Sequence, residues 1–292
     1  MKAGVCQWVF NRMLVDGEMN MMDCVEFVGK QTDAECFEPL SRYWDPERDV
    51  NEQAEQVRDL CDDLALEVYC YTLDSDFAVY DRDVHEETVA DCILALDTAL
   101  ILDAQAIRVD PRTSLPPEHA DSPDLDYIVE RMAEGMQQIA DEAADAGLLV
   151  GVENHGRLVG SMHSVRRLID LVDRPNFGAN IDFTNFKNVF GEDHVEATRL
   201  LAPDVVHAHA KDCYYRAKRE DDTWHETPDG VFYKAAIGGQ GDAQWPLLFS
   251  IIYEAGYDGA VSLEVSLPED TFGSVIKGVD TLLRILAEVE ES

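Results

Sequence analysis

Short apolar runs alternate with longer amphipathic segments along most of the chain. Each run has the length of one strand, whereas apolar residues in the segments recur every three or four positions, as on one helix face. Segment 124–146 shows this spacing, and Gly147 ends it. The predicted strands are 4–10, 34–39, 66–72, 106–110, 148–154, 177–183, 205–210 and 260–265. The predicted helices are 51–65, 83–103, 124–146, 162–172, 192–202, 244–256 and 272–290.

Continuous apolar strands that alternate with helices indicate a parallel sheet covered by helices. Eight such units in 292 residues fit the size of a (β/α)8 TIM barrel. We therefore predict a single barrel domain over residues 1–292, with a doubly wound open sheet as the alternative. No GxGxxG follows the first strand and no P-loop is present, so no motif favours a nucleotide site.

The connection after the seventh predicted strand, residues 211–243, is long for a compact domain. It contains a Trp, several Tyr and many of the clustered basic residues, and it ends in GGQGD. In a barrel this segment would follow the catalytic end of a strand. We expect it to cover the C-terminal face and the substrate, rather than to be a simple insertion.

The composition is strongly acidic, with a net charge of −36 from 59 Asp and Glu against 23 Lys and Arg. The acids are spread along the predicted helices, which favours a solvated acidic shell of the halophilic type over a cation-buffering or partner-binding surface. Such a charge opposes binding to nucleic acid. Because the chain has no long apolar span, no signal-peptide pattern and seven unpatterned Cys, we expect a soluble cytoplasmic protein without disulfides.

Four side chains with metal-binding atoms fall at the C-terminal ends of consecutive predicted strands. They are Glu153, Asp182, His209 and Glu264. Burying such groups among apolar residues is unfavourable unless they are paired or bind a metal. This end of a barrel is where active sites form, so we predict that the four share a divalent cation. Three carboxylates and one imidazole suit Mn²⁺, Mg²⁺ or Co²⁺ better than structural zinc, with catalytic Zn²⁺ as a further option.

The stretches GVENHG, NIDFTNF, HAHAKD, GGQGD and GYDGAVSLEV resemble the sugar phosphate isomerase/epimerase superfamily, also called the xylose isomerase-like or AP-endonuclease family 2 barrels. The resemblance covers nearly the whole chain, with its specific motifs in the second half. It places the family's metal ligands on Glu153, Asp182, His209 and Glu264. It also implies that Glu153 and Glu264 form the catalytic acid/base pair on opposite faces of a carbohydrate substrate. Homo-oligomers are common in this superfamily.

Two departures weaken a specific assignment as a ketose 3-epimerase. Those epimerases carry Asp-x-x-His after strand six, whereas this chain has Asp182-Phe-Thr-Asn185. They also carry an Arg six residues after the strand-seven His, whereas Arg216 lies seven after His209. A dehydratase of the inosose or 3-dehydroshikimate type is therefore the alternative to an isomerase or epimerase.

The endonuclease IV-like branch is disfavoured because it needs further His ligands and an Asp-x-His. This chain offers Asp222-Thr-Trp-His225 instead. For a sugar, sugar phosphate or related polyol ketone, we predict binding by Asn185, His155, Arg216, Lys211, Glu38 and Trp44. The alternative role for His155 is a hydrogen bond that orients the metal-binding carboxylates. Arg108 and Asp110 are further polar candidates for the pocket, and Trp8 and Phe183 are candidate apolar walls.

Overall fold

Eight parallel strands form the inner layer of the protein, and helices surround them. The computed structural model describes residues 1–292. The strands are β1 (Lys2–Cys6), β2 (Cys36–Glu38), β3 (Cys70–Thr72), β4 (Ala106–Val109), β5 (Leu149–Glu153), β6 (Phe177–Asp182), β7 (Val205–Ala210) and, after a small separate sheet, β11 (Ala260–Leu263). Their order is β2-β1-β11-β7-β6-β5-β4-β3. All neighbouring strands in this order are parallel.

The two end strands of this order meet and close the barrel. Parallel bridges join Cys36 to Glu67 and Leu40 to Thr72. The amide of Phe37 donates to the Glu67 carbonyl at 2.9 Å. The predicted (β/α)8 barrel is therefore confirmed, and the open-sheet alternative is wrong.

The helices lie between the strands, mostly where the apolar spacing predicts them. They are α1 (Asn11–Val15), α2 (Met21–Gln31), α3 (Val50–Asp63), α4 (Arg82–Ile101), α5 (Pro117–Ala120), α6 (Leu125–Asp145), α7 (Met162–Val172), α8 (Asn185–Phe190), α9 (His194–Leu201), α10 (Trp245–Glu254) and α11 (Thr271–Glu290). Asp side chains cap the first turns of α3, α4 and α6. None of the helices has the length and apolar content that a membrane crossing requires.

The first strand is shorter than predicted. It ends at Cys6, and Gln7–Phe10 form a 3-10 turn that leads into α1. The apolar residues of this turn, Val9 and Phe10, are buried in the core, which explains why the sequence pattern extends past the strand.

The long segment 211–243 contains a small antiparallel sheet rather than an irregular loop. Its strands are β8 (Cys213–Arg216), β9 (His225–Glu226) and β10 (Phe232–Ala235), in the order β8-β10-β9. The carboxylate of Asp212 anchors its end by accepting the amides of Gly241 at 2.7 Å and Ala243 at 3.2 Å. The GGQGD turn is thereby fixed beside the end of β7.

Gly178 of β6 lies where the chain leaves no room for a side chain. A Cβ there would be 2.0 Å from the carbonyl oxygen of Asp204. We expect Gly178→Ala to lower the free energy of unfolding by about 1–3 kcal/mol, because a backbone atom must move. Urea denaturation measures this loss.

Gly151→Ala is the matched control, because Gly151 is paired with Gly178 on the neighbouring strand. Its Cβ would meet the Asn180 side chain at 3.2 Å, a contact that small shifts relieve. Equal losses in the two variants would contradict the explanation.

Candidate active site

The ends of four neighbouring strands hold the four predicted ligands together. Glu153 and Asp182 are the last residues of β5 and β6, His209 is in β7, and Glu264 directly follows β11. Strand register places Asp182 beside His209. Parallel strands that end at the same edge explain why residues far apart in sequence meet here.

Three of the four side chains converge on one point. Glu153, His209 and Glu264 each offer a ligand atom, and these atoms lie within 4.8 Å of one another. Nδ1 of His209 is 3.2 Å from Oε1 of Glu153 and 3.5 Å from Oε2 of Glu264. Two carboxylates and an imidazole nitrogen are donors that divalent cations accept, so this set fits a metal ion.

Asp182 is arranged differently from the other three. Its Oδ1 accepts the amides of Thr184 at 2.9 Å and Asn185 at 3.2 Å. Its Oδ2 accepts a hydrogen bond from Nζ of Lys211 at 2.6 Å, and the same Nζ is 2.9 Å from Oε2 of Glu264. The Lys211 ammonium therefore bridges two of the predicted ligands.

Glu38, which the sequence predicts to bind substrate, pairs with two buried histidines in the structure. Its carboxylate is buried and pairs with Nε2 of His209 at 2.9 Å and Nε2 of His207 at 2.9 Å. Thr72 donates a third hydrogen bond to it at 2.5 Å. A carboxylate on one imidazole nitrogen orients the ring and leaves the other nitrogen for a metal, as in many metal sites. Glu38 is thus placed to position His209.

Arg108 holds the other face of Glu153. Its Nε donates to Oε2 of Glu153 at 2.6 Å, and its Nη2 contacts the same oxygen. A further hydrogen bond to the Leu73 carbonyl, at 3.0 Å, fixes the guanidinium. From the sequence, Arg108 is only a polar candidate for the pocket. Its pairing with Glu153 is not evident there, because the two residues lie on different strands, 45 residues apart.

The two glutamates have opposite electrostatic surroundings. Burial raises the pKa of Glu153, but the charge of Arg108, followed by that of His209, holds this pKa well below its ordinary value. Burial raises the pKa of Glu264 to about 7, although Lys211 and His209 act in the other direction. Around neutral pH in the absence of a bound ion, Glu153 is ionised and Glu264 is partly protonated.

The same surroundings favour the cationic form of His209, in which both ring nitrogens carry a proton. Burial lowers its pKa, but the carboxylates of Glu38, Glu264 and Glu153 together raise it well above the ordinary value. Binding a cation through Nδ1 requires that nitrogen to lose its proton. Cation binding at this site should therefore release a proton.

A cavity of about 380 Å³ is lined by two members of this constellation, His209 and Glu264, whereas Glu153 and Asp182 are buried behind it. Three predicted substrate-binding residues, Asn185, His155 and Lys211, line it, as does Trp8. His155 is anchored by Asp110, whose carboxylate oxygens lie 3.0 Å from Nδ1. Arg108 and Asp110 also line the cavity. An adjoining cavity of about 670 Å³ includes Tyr233 and His225 of the small sheet.

Arg216 and Trp44, which the sequence predicts to bind substrate, and Phe183, a candidate apolar wall, do not line this cavity. Arg216 is exposed on β8 and pairs with Asp242 at 2.9 Å. Trp44 is mostly buried, donates to the Tyr71 hydroxyl at 2.7 Å and lines a separate cavity of about 490 Å³. Phe183 is fully buried against Phe249 in the core. Apolar side chains near strand ends are as readily core as pocket wall, and the sequence does not separate the two.

Residues 22–285 match the xylose isomerase-like TIM-barrel family, and the chain belongs to that family. The chain is also similar to the protein named Uncharacterized protein YihM of Escherichia coli (strain K12), with 24% identity over 180 residues. This region is 60% of the chain and 49% of YihM, so the chain spans about half the length of that curated relative.

Two solved structures share the fold along almost the whole chain. The IOLI protein, which was solved with a bound zinc atom, has a TM-score of 0.77 and 15% identity, covering 99% of both chains. The D-psicose 3-epimerase of Clostridium cellulolyticum H10, solved with D-tagatose, has a TM-score of 0.75 and 15% identity. That alignment covers 98% of this chain and 99% of the epimerase. At these identities the likeness establishes the architecture.

Proposed function

We propose that this protein is a divalent-metal-dependent isomerase or epimerase of the cytoplasm that moves a proton on the carbon beside a ketone in a sugar, sugar phosphate or related polyol. The observation that carries the proposal is the convergence of Glu153, His209 and Glu264, of which His209 and Glu264 line a polar cavity. Two carboxylates whose oxygens lie within 4.8 Å of one another suit removal and return of a proton.

In this proposal Glu153, His209 and Glu264 would hold the ion, and Asp182, whose Oδ2 now accepts a hydrogen bond from Lys211, would be the further ligand. Mn²⁺, Mg²⁺, Co²⁺ or Zn²⁺ would supply positive charge next to the ketone oxygen, where negative charge develops as the proton leaves. The zinc of the IOLI protein and the sugar of the Clostridium epimerase support the choice of cofactor and substrate class.

The side chains of the protein would carry out proton transfer and substrate binding. One glutamate removes the proton from the substrate carbon, and the other delivers a proton to the opposite face or to the neighbouring carbon. Arg108 keeps Glu153 fixed through its hydrogen bond at 2.6 Å. Asn185 and Lys211, which line the cavity, are placed to bind substrate hydroxyls and the oxygen that gains charge.

Removal of the metal should abolish this activity. We expect EDTA to eliminate the exchange of solvent deuterium into the carbon beside the ketone, and Mn²⁺ or Co²⁺ to restore it. The measurement is NMR of a panel of ketoses incubated with the protein in D₂O. If the protein supplied with each cation exchanges no such proton on any ketose, the proposal is wrong.

A dehydratase on the same scaffold is the second candidate, and Asn185 favours it. This residue stands where the 3-epimerases have His, and its Nδ2 is buried without a hydrogen-bond partner in the protein. An amide that donates a hydrogen bond but does not titrate suits holding a hydroxyl group near the reacting carbon. Mass spectrometry separates the candidates, because a dehydratase product is lighter by one water.

A further inference from the structure

We propose that the substrate carries an anionic group, a phosphate ester or a carboxylate, which Arg112 and Arg157 bind at the rim of the cavity. This inference rests on the proposed function and names the substrate class more closely. It stands on the distribution of charge around the cavity and on the pairing of the individual arginines.

The cavity wall reverses the charge balance of the chain. Acidic residues outnumber basic ones in the whole sequence, 59 to 23. Among the residues that line the cavity, the acids are Asp74, Asp110 and Glu264, whereas the basic residues are Arg42, Arg108, Arg112, Arg157 and Lys211. A concave surface attracts ligands whose charge is opposite to its own excess charge, so this excess of cations favours an anionic ligand.

The deep cations of this group already have partners. Arg108 is bound to Glu153, and Lys211 bridges Asp182 and Glu264. They serve the reacting end of the cavity, where the proposal above places the ketone. Arg108 remains on Glu153, and the proposed function assigns Lys211 to the oxygen that gains charge, so an anionic group elsewhere on the substrate meets the cations farther out.

The rim cations are only partly neutralised. Arg42 and Arg112 share the single carboxylate of Asp74, at 2.6 Å and 3.1 Å. Arg42 also lies over the ring of Trp8, 5.4 Å from its centre, which helps to fix its position. Two guanidinium groups therefore share one directly paired carboxylate, and the Asp76 carboxylate acts on Arg112 without an ion pair.

Arg157 adds a cation that has no partner within the protein. It is exposed, lines the cavity and takes part in no ion pair or hydrogen bond. It is the last residue of the stretch GVENHGR, four positions after Glu153. Guanidinium groups match the geometry of carboxylate and phosphate oxygens, so Arg112 and Arg157 together form a receptor for such a group.

Binding of simple anions tests the inference independently of turnover. Inorganic phosphate and malonate are titrated into the full chain with Mg²⁺ present, at constant ionic strength, by calorimetry. We expect binding by the wild type and roughly tenfold weaker binding by Arg157→Gln and by Arg112→Gln, because each loses a charge-assisted contact. Preference for phosphate indicates a phosphorylated sugar, and preference for malonate indicates a sugar acid.

Arg199→Gln is the matched control, because Arg199 is likewise exposed and unpaired but lies on α9 outside the cavity. The inference is overturned if the wild type binds neither anion, or if Arg157→Gln and Arg199→Gln bind equally well. It is also overturned if an abasic DNA duplex competes for the same site more tightly than phosphate. Deuterium exchange on a neutral ketose with no anion binding would overturn this inference and leave the proposed function intact.

Discussion

Replacing Glu264 with Gln is expected to remove nearly all activity. The substitution keeps the size of the side chain but removes an acid/base group, which contributes about 10²–10⁴-fold to rates of proton transfer. It also removes a ligand atom from the convergent set and the charge that faces Lys211 at 2.9 Å. We expect both the deuterium-exchange rate and the affinity for Mn²⁺ to fall in Glu264→Gln, measured by NMR and calorimetry.

Glu269→Gln serves as the control for this experiment. Glu269 follows the same strand, is exposed, and forms no ion pair. The same chemical change there should leave exchange and Mn²⁺ affinity at wild-type values. If Glu264→Gln behaved like Glu269→Gln, Glu264 would have neither of the roles proposed for it.

Replacing Glu38 with Leu is expected to give the largest loss of stability. The carboxylate of Glu38 is the hydrogen-bond partner of His207, His209 and Thr72, all of them buried. Removing one partner of a buried ionic network costs about 3–5 kcal/mol, because the buried groups left behind lose their charged partner. We expect the free energy of unfolding, measured with urea, to fall by about that amount.

Glu38→Gln separates the positioning role from the structural one. An amide can still accept one hydrogen bond, so it should recover part of the stability. Without the negative charge on Nε2 of His209, we expect Mn²⁺ affinity to fall by about 10–100-fold. Glu35→Leu is the control, because Glu35 precedes the same strand but is exposed. A Glu38→Gln variant with wild-type Mn²⁺ affinity would contradict the positioning role.

The fold and the meeting of the four strand-end residues follow from local patterns. Apolar runs predict the strands, and parallel strands put their C-terminal ends on one side of a barrel. Glu153, Asp182, His209 and Glu264 were therefore expected at one edge, where the structure has them. Such patterns do not show which side chains on different strands come within hydrogen-bonding distance across the barrel.

Glu38 illustrates the part that the sequence pattern misses. Its partners lie 169 and 171 residues away, on a strand separated from β2 by two others. The sequence does contain one indication of buried polar partners, because residues two apart in a strand face the same side of the sheet. Polar residues occur at this spacing in two strands, as His207 and His209 and as Asn180 and Asp182. This spacing indicates a polar barrel interior below the strand ends.

The remaining differences between the predicted and observed sites concern basic side chains, which pair with acidic residues of the chain itself. Lys211 was expected to bind substrate, yet in the structure it also pairs with Asp182 and Glu264. Arg216 was expected near the substrate, but the small sheet turns it toward Asp242. Such choices depend on which opposite charges lie within reach after folding, and an acidic chain offers many of them.

The ion pairs of Lys211 with Asp182 and Glu264 bear on whether the protein needs a bound ion in order to fold. Three carboxylates gathered at one edge would repel one another in a newly made chain. Lys211 between Asp182 and Glu264, together with Arg108 on Glu153, gives each of them a counter-charge from within the chain. Sites made only of metal ligands depend on their ion for folding. Here we expect the barrel to close without an ion, and an ion bound as proposed would then take over the neutralising role of the Lys211 ammonium group.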